Sequence, residues 1–311
     1  MLLIENLVKK YGKFTAVDKL NLKLDKGDIY GFIGPNGAGK TTTMKVVATL
    51  MKATSGKVFV DGIDVAENPR MVKSRIGYMP DFFGVYDNLK VNEYMDFYGS
   101  CYGIPAGERR KARGELLELV DLKDKGDNYV DTLSRGMKQR LCLARSLIHN
   151  PELLILDEPA SGMDPRARIE MKGILKTLKS MDKTILISSH ILHELAELCN
   201  TIGVIEQGEL VYSGKIDDLM KRLTGKSIIR IRVLADVDRT ASLLKEQPYI
   251  DDISGEDNTL EISYDGGEED MTRLLKLLVL NDIPVISFTK IDGNIEKVFL
   301  EVTKGGAKEL K

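Results

Sequence analysis

The chain is 311 residues long, 43% hydrophobic and 30% charged, with a formal net charge of −2. That length holds two domains, the balance is that of a folded globular chain, and the charge supplies no electrostatic attraction for nucleic acid. No apolar run reaches the roughly 20 residues a membrane-crossing helix needs. The start, Met1-Leu2-Leu3-Ile4-Glu5, lacks the basic and apolar regions of a secretory leader. The expectation is a cytoplasmic chain, held at a membrane only by a partner. Cys101, Cys142 and Cys199 are far apart without metal-ligand spacing and read as free thiols of a reducing compartment.

In chain order, the apolar run 29–33 reads as a buried strand, and residues 41–50 have helical character. Between them stands Gly34-Pro35-Asn36-Gly37-Ala38-Gly39-Lys40-Thr41, which matches the phosphate-binding pattern G-x-x-x-x-G-K-[ST] without a gap. A glycine-rich strand-to-helix turn points several backbone N–H groups at one spot, where the helix N-terminus also attracts phosphate. Lys40 is placed to neutralise the terminal phosphates and the Thr41 hydroxyl to hold Mg²⁺.

Residues 153–156 form a second buried strand, ending in Asp157-Glu158. A carboxylate at that end of such a strand lies on the usual ligand side of the sheet. Asp157 is suited to Mg²⁺, and Glu158 to general-base work on an attacking water. Alone, an Asp-Glu pair after a strand is a solvated turn; beside a phosphate loop it reads as catalytic. Residues 184–188 and 202–205 are further strands, and such short apolar runs suit a sheet covered on both faces. His190, just past the first of these, is in a position to donate a hydrogen bond to a γ-phosphate; on its own it is a loop residue. His149 carries no assignment, and His193 with Glu194 and Glu197 reads as a solvated helix face. Gln207-Gly208 predicts a hairpin, and a basic helical stretch over 219–225 reads as a linker.

The remainder has a different rhythm. Strands are predicted at 228–233, 249–254, 259–264 and 285–289, helices at 237–246 and 268–281, and a last helix near 295–302. The order β-α-β-β-α-β is that of a ferredoxin-like unit. Residues 226–311 carry seventeen acidic and twelve basic side chains, a net charge of −5. That acidity, without aromatic stacking clusters, argues against nucleic acid. The domains are therefore placed at 1–220 and 227–311.

Taken in order, these motifs resemble the nucleotide-binding subunit of an ABC transporter over residues 1 to about 220. Leu133-Ser134-Arg135-Gly136-Met137, followed by Lys138-Gln139-Arg140, is similar to the family's signature loop, and Ser161-Gly162-Met163-Asp164 to the loop crossing its dimer interface. The resemblance implies an α/β P-loop NTPase of ABC type, a mixed sheet core with a helical subdomain, followed by the small α+β ferredoxin-like domain. It implies nucleotide contacts at Tyr11 (stacking on adenine), Gly34, Asn36, Gly37, Gly39, Lys40, Thr41 and Thr42. It places metal at Thr41, Asp81 and Asp157, and catalysis at Glu158 and the switch histidine, His190. Ser134 and Gly136 would serve the ATP of a second, head-to-tail copy or similar partner, so that ATP favours the closed pair and hydrolysis releases it.

Two segments depart from the family pattern. Arg135 and Met137 stand where glycine and glutamine are usual; Ser134 is an N-cap candidate for a helix over 137–149, and Arg135 is expected to add charge near the phosphate. Asp81, in Ile76-Gly77-Tyr78-Met79-Pro80-Asp81, stands at the usual glutamine, where a carboxylate binds metal more strongly and with a different proton balance.

Eight aromatics lie between Tyr78 and Tyr102. Phe82 and Phe83 are expected to dock a membrane-spanning permease subunit, and Tyr94, Phe97 and Tyr98, at helical spacing, to form a subdomain core. Asn294-Ile295-Glu296-Lys297-Val298-Phe299 and the residues after it resemble the tail of drug- and antibiotic-efflux subunits, which implies export. Two rivals stand beside this reading: a soluble ABC-type ATPase of translation or DNA repair, and a non-catalytic regulatory ATP-binding module. The first usually carries two motor domains or long insertions, absent here; the second is at odds with Glu158 and His190.

Overall fold

A computed structural model of the chain describes residues 1–82, 84–191, 195, 198–216, 227–256, 258–264 and 266–291. It divides into two compact units, with the break after Ile216. The linker at 219–225, Phe83, His193, Glu194, Glu197 and the last helix near 295–302 lie outside the described residues.

The first unit holds two sheets. Strands β1 (Leu2–Tyr11), β2 (Phe14–Leu24), β4 (Ser55–Val60) and the short β5 (Ile63–Asp64) form an antiparallel sheet in the order β2-β1-β4-β5. Strands β3 (Ile29–Ile33), β6 (Ile76–Met79), β7 (Leu153–Leu156), β8 (Thr184–Ser189), β9 (Thr201–Glu206) and β10 (Glu209–Lys215) form the other, in the order β10-β9-β3-β8-β7-β6. All neighbours in it are parallel except β10, which returns antiparallel to β9 through the turn at Gln207-Gly208. Every residue of β3, β7 and β8 is buried, which is why β3 and β7 read as apolar runs without alternation and β8 has an apolar centre, Ile185 to Ile187.

Helix α1 (Lys40–Val47) lies in the core shared by the two sheets. Met44, Val46 and Val47 pack in one cluster with Leu2, Ile4, Val17 and Val58 of the antiparallel sheet and Phe32, Ile155 and Leu186 of the parallel one. The phosphate loop is thus anchored at both ends by buried elements.

Among the described residues of this unit, five further α-helices follow: α2 (Pro69–Arg75), α3 (Val91–Cys101), α4 (Ala106–Leu119), α5 (Arg135–Leu147) and α6 (Pro165–Ser180). Ser134 caps α5, its Oγ accepting the Met137 N–H at 3.3 Å. Asp164 caps α6 in the same way from Ala167 at 2.9 Å. Arg140 on α5 is buried but paired: it donates to the Val120 carbonyl at 2.9 Å and forms ion pairs with Asp121 and Glu170, so one charge ties the end of α4 to α5 and α6.

The expected aromatic core of α3 is corrected in part. Tyr94 is buried, but Phe97 is 43% exposed and stands edge-on to Tyr86 at 5.3 Å. Phe97 packs its ring against Tyr86 at the helix surface, whereas Tyr98, four residues after Tyr94, stands over it at 4.9 Å and carries the Arg145 guanidinium on its ring. Cys142 and Cys199 are buried and Cys101 exposed, all as free thiols.

The second unit contains β11 (Ser227–Val233), α7 (Val237–Lys245), β12 (Ile250–Glu256), β13 (Thr259–Tyr264), α8 (Glu268–Leu280) and β14 (Val285–Ile291). The β-α-β-β-α-β order is as the sequence implies, and the sheet is antiparallel in the order β12-β13-β11-β14. Ile229, Ile231, Val233, Leu260 and Ile262 form its core with Leu244 of α7 and Leu274 and Leu278 of α8.

Candidate active site

The site forms where β3, β7 and β8 end. Parallel strands present all their C-terminal ends on one side, so the loop after β3, the carboxylates after β7 and the residues closing β8 meet there. Gly39 is the N-cap of α1 with φ 109°, and a Cβ on it would stand 2.6 Å from the Ala16 carbonyl oxygen. Only glycine takes that conformation at that approach, and the turn aims the free N–H groups of α1 into the loop.

Lys40 is buried. Its ammonium donates to the Gly34 carbonyl at 2.6 Å and the Pro35 carbonyl at 3.2 Å, and stands 3.5 Å from Glu158 Oε1. Thr41 Oγ1 donates to Asp157 Oδ1 at 3.2 Å, as does Ser188 Oγ at 2.7 Å. Asp157 is 0% exposed, and its second oxygen, Oδ2, is buried without a hydrogen-bond partner. Burial pushes the Asp157 carboxyl above its ordinary pKa, the hydrogen bonds from Ser188 and Thr41 pull it back, and the charges of Asp81 and Glu158 raise it further.

Glu158 has the left-handed backbone of φ 50°, uncommon for a residue with a side chain. Its N–H donates to Ser188 Oγ at 2.9 Å. This kink returns the carboxylate toward the site: Oε2 is 2.8 Å from His190 Nδ1, and Oε1 is buried without a hydrogen bond. The structure therefore brings together Lys40, Thr41, Asp157, Glu158 and His190. Sequence reasoning missed Ser188, whose hydroxyl serves both acidic residues; nothing in the run Ile187-Ser188-Ser189 singles it out.

The other expected residues lie elsewhere or make other contacts. Gly34 is buried, while Asn36 and Gly37 are exposed at the loop's crest, and Thr42 is half-buried in the first turn of α1. Tyr11, half exposed, pairs with Phe14 at the rim formed by the β1–β2 turn. Phe14 is the more exposed of the two, a second aromatic at that rim. Ser134 and Gly136 make no contact with the phosphate loop among the described residues; Gly136 is buried where a Cβ would stand 2.8 Å from Ala167 of α6. Arg135 reaches toward the Ser161 carbonyl, 3.4 Å away. Asp81 makes no hydrogen bond or ion pair among the described residues; it reaches Asp157 as a charge.

The described oxygens suit a hard divalent cation. Thr41 Oγ1 and an Asp157 carboxylate with one uncommitted buried oxygen are the kind of donors Mg²⁺ takes through one or two protein groups.

Residues 17–161 match the family described as ABC transporter, and residues 214–303 match the C-terminal domain described as ATP-binding protein DrrA1-3-like. The chain is 34% identical over 305 residues to the linearmycin resistance ATP-binding protein LnrL of Bacillus subtilis (strain 168), covering 97% of this chain and 98% of that protein. It is 37% identical over 303 residues to the bacitracin transport ATP-binding protein BcrA of Bacillus licheniformis, covering 97% and 96%. Among solved structures, it is similar to the dimeric post-hydrolysis state of the ATP-binding cassette MJ0796 bound to ADP and Pi, with a TM-score of 0.63 and 25% identity over 70% of this chain and 99% of that one. With end-to-end likeness to such subunits and acidic groups poised over a phosphate loop, the chain belongs to the ATP-binding subunits of ABC transporters, the ATPases that power transport across membranes.

Proposed function

We propose that two nucleotide-binding chains, this one with a copy of itself or a similar subunit, hold MgATP at a shared seam on the cytoplasmic face of a membrane and drive a permease that exports a drug or antibiotic. The observation that carries this reading is the Lys40, Thr41, Asp157 and Glu158 cluster, with one oxygen of each carboxylate buried without a hydrogen bond, that of Glu158 facing the Lys40 ammonium at 3.5 Å. Tyr11, Gly34, Asn36, Gly37, Gly39, Lys40, Thr41 and Thr42 bind the nucleotide. Thr41 and Asp157 hold the metal, which when bound neutralises phosphate charge. Glu158 Oε1 takes the proton of the attacking water, and His190, through Nδ1, holds Glu158 Oε2 in place. Ser134 and Gly136 act on the nucleotide of the opposite chain, which accounts for their distance from the phosphate loop of their own. The residues 1–220 and 227–311 form the motor and an accessory domain.

Among the described residues no helix is long and apolar enough to cross a membrane, and the reading assigns the crossing to a separate permease chain. The efflux direction rests on the relatives named for linearmycin resistance and bacitracin transport, which favour the transporter reading over a translation, repair or purely regulatory role.

Permease docking is assigned to the face around Phe82. Phe82 is 90% exposed and follows β6, where Tyr78 lines a cleft of about 690 Å³ together with Leu50, Tyr98, Tyr102 and Arg145. An aromatic left this far in water is a surface feature, and its truncation costs the fold within about 0.5 kcal/mol. Phe82→Ala is expected to leave the thermal midpoint in place and to reduce co-purification with the co-expressed permease at least several-fold. Undiminished co-purification would remove Phe82 from the docking face.

A further inference from the structure

Two of the residues that depart from the family pattern, an acid at 81 and a base at 135, line the same cavity. It measures about 360 Å³ and lies between the segment after β6 and the start of α5, with Lys138 and Gln139 also on its wall. Arg135 and Gln139 are four residues apart and so project from one face of α5. Both donate to one acceptor: Gln139 Nε2 lies 2.8 Å and Arg135 3.4 Å from the Ser161 carbonyl.

The Arg135 guanidinium occupies the place a Cβ would take on Gly162, whose φ is 64°. Gln139 is 2% exposed, and its Oε1 has no hydrogen-bond partner. The signature turn at 134–136 and the loop at 161–164 are thereby held as one piece within a single chain. Of the two cations on the wall, Lys138 is engaged by Asp87 at 3.6 Å. Arg135 lines the cavity together with Asp81, which makes no ion pair among the described residues.

We propose that Asp81 acts on hydrolysis through Arg135. The two opposite charges face one cavity, and the pairing of carboxylate with guanidinium that this cavity allows sets the signature turn against loop 161–164, so that Asp81 is a positioning residue rather than a metal ligand. This rests on the signature turn serving a bound nucleotide, as proposed above.

The test compares the parent with Asp81→Asn, Arg135→Gln, the double variant and Arg135→Lys. Misplacing a catalytic loop costs rate rather than substrate affinity, so each single variant is expected to lower kcat on the order of tenfold with KM for ATP little changed. The double variant is expected to be no slower than the slower single one, Arg135→Lys to recover most of the rate, and the Mg²⁺ requirement of Asp81→Asn to match the parent's. Multiplying losses in the double variant, or a raised Mg²⁺ requirement in Asp81→Asn, would overturn the proposal.

A second readout needs no turnover. In thermal unfolding without nucleotide, the loss in the double variant is expected to be smaller than the sum of the single losses; strict additivity would overturn the proposal. A parent without ATPase activity would sink the reading of the site and leave this second readout to decide.

Discussion

Glu158→Gln is expected to retain MgATP and to lower kcat by about 10²–10⁴-fold, the range of a lost general base. The amide is nearly isosteric, and the backbone that aims it is fixed independently: the N–H at this position stays on Ser188 Oγ at 2.9 Å, and the φ of 50° belongs to the turn after β7. What disappears is the capacity of Oε1 to receive a proton. Because Lys40 stands 3.5 Å from that oxygen and also donates to the Gly34 and Pro35 carbonyls, phosphate binding loses little. Single-turnover hydrolysis measured beside nucleotide affinity separates the two effects. A Glu158→Gln variant that cleaves ATP at the parent's rate would show that the base is another group.

Asp157→Asn is expected to abolish Mg²⁺-dependent turnover while raising the thermal midpoint of the nucleotide-free protein. The parent buries a carboxylate completely, gives one oxygen two hydrogen bonds and the other none, and sets it near the charges of Asp81 and Glu158. Asparagine keeps an acceptor for Thr41 and Ser188 and removes the buried charge. A gain of about 1 kcal/mol corresponds to roughly 2–4 °C in a domain of this size.

The pH dependence follows from the raised Asp157 pKa. The folded chain holds the proton more tightly than the unfolded chain, so this residue's contribution to stability grows as pH falls through the raised value toward the ordinary 3.8. The same proton competes with the metal, so Mg²⁺ affinity falls over that interval. The variant is expected to lose both dependences. Calorimetry across pH, with and without Mg²⁺, checks the pair; a lowered midpoint in the variant would mean that the carboxylate stabilises the empty fold.

The strands that carry the chemistry were legible because they are buried on both faces. Runs such as Leu153 to Leu156 need no period to be recognised, and each motif sits at the C-terminal end of one. The antiparallel sheet was not legible, although it supplies the other wall around α1. Register shifts after Ile4 and Leu7 in β1, with positive φ at Asn6 and at Lys19 of β2, break the two-residue alternation that would have announced it. In the site, Lys40, Thr41, Asp157 and Glu158 carry their roles in residue type and spacing. Ser188 does not, because a serine among buried strand residues gains its role only from the strand lying beside it. Arg135 was legible as a charge but not as a direction, since its position depends on Gly162, twenty-seven positions away in the sequence.

The shared seam is the centre of the account, and sedimentation of the Glu158→Gln protein tests it most directly. Without nucleotide the chain should sediment as a single copy. With MgATP it should sediment as a two-chain species retaining two nucleotides, and Ser134→Arg, which places bulk and an unmatched side chain at the opposite nucleotide, should prevent the pairing. A Glu158→Gln protein that binds MgATP and remains a single chain at every concentration, or one that pairs equally well without nucleotide, would contradict it.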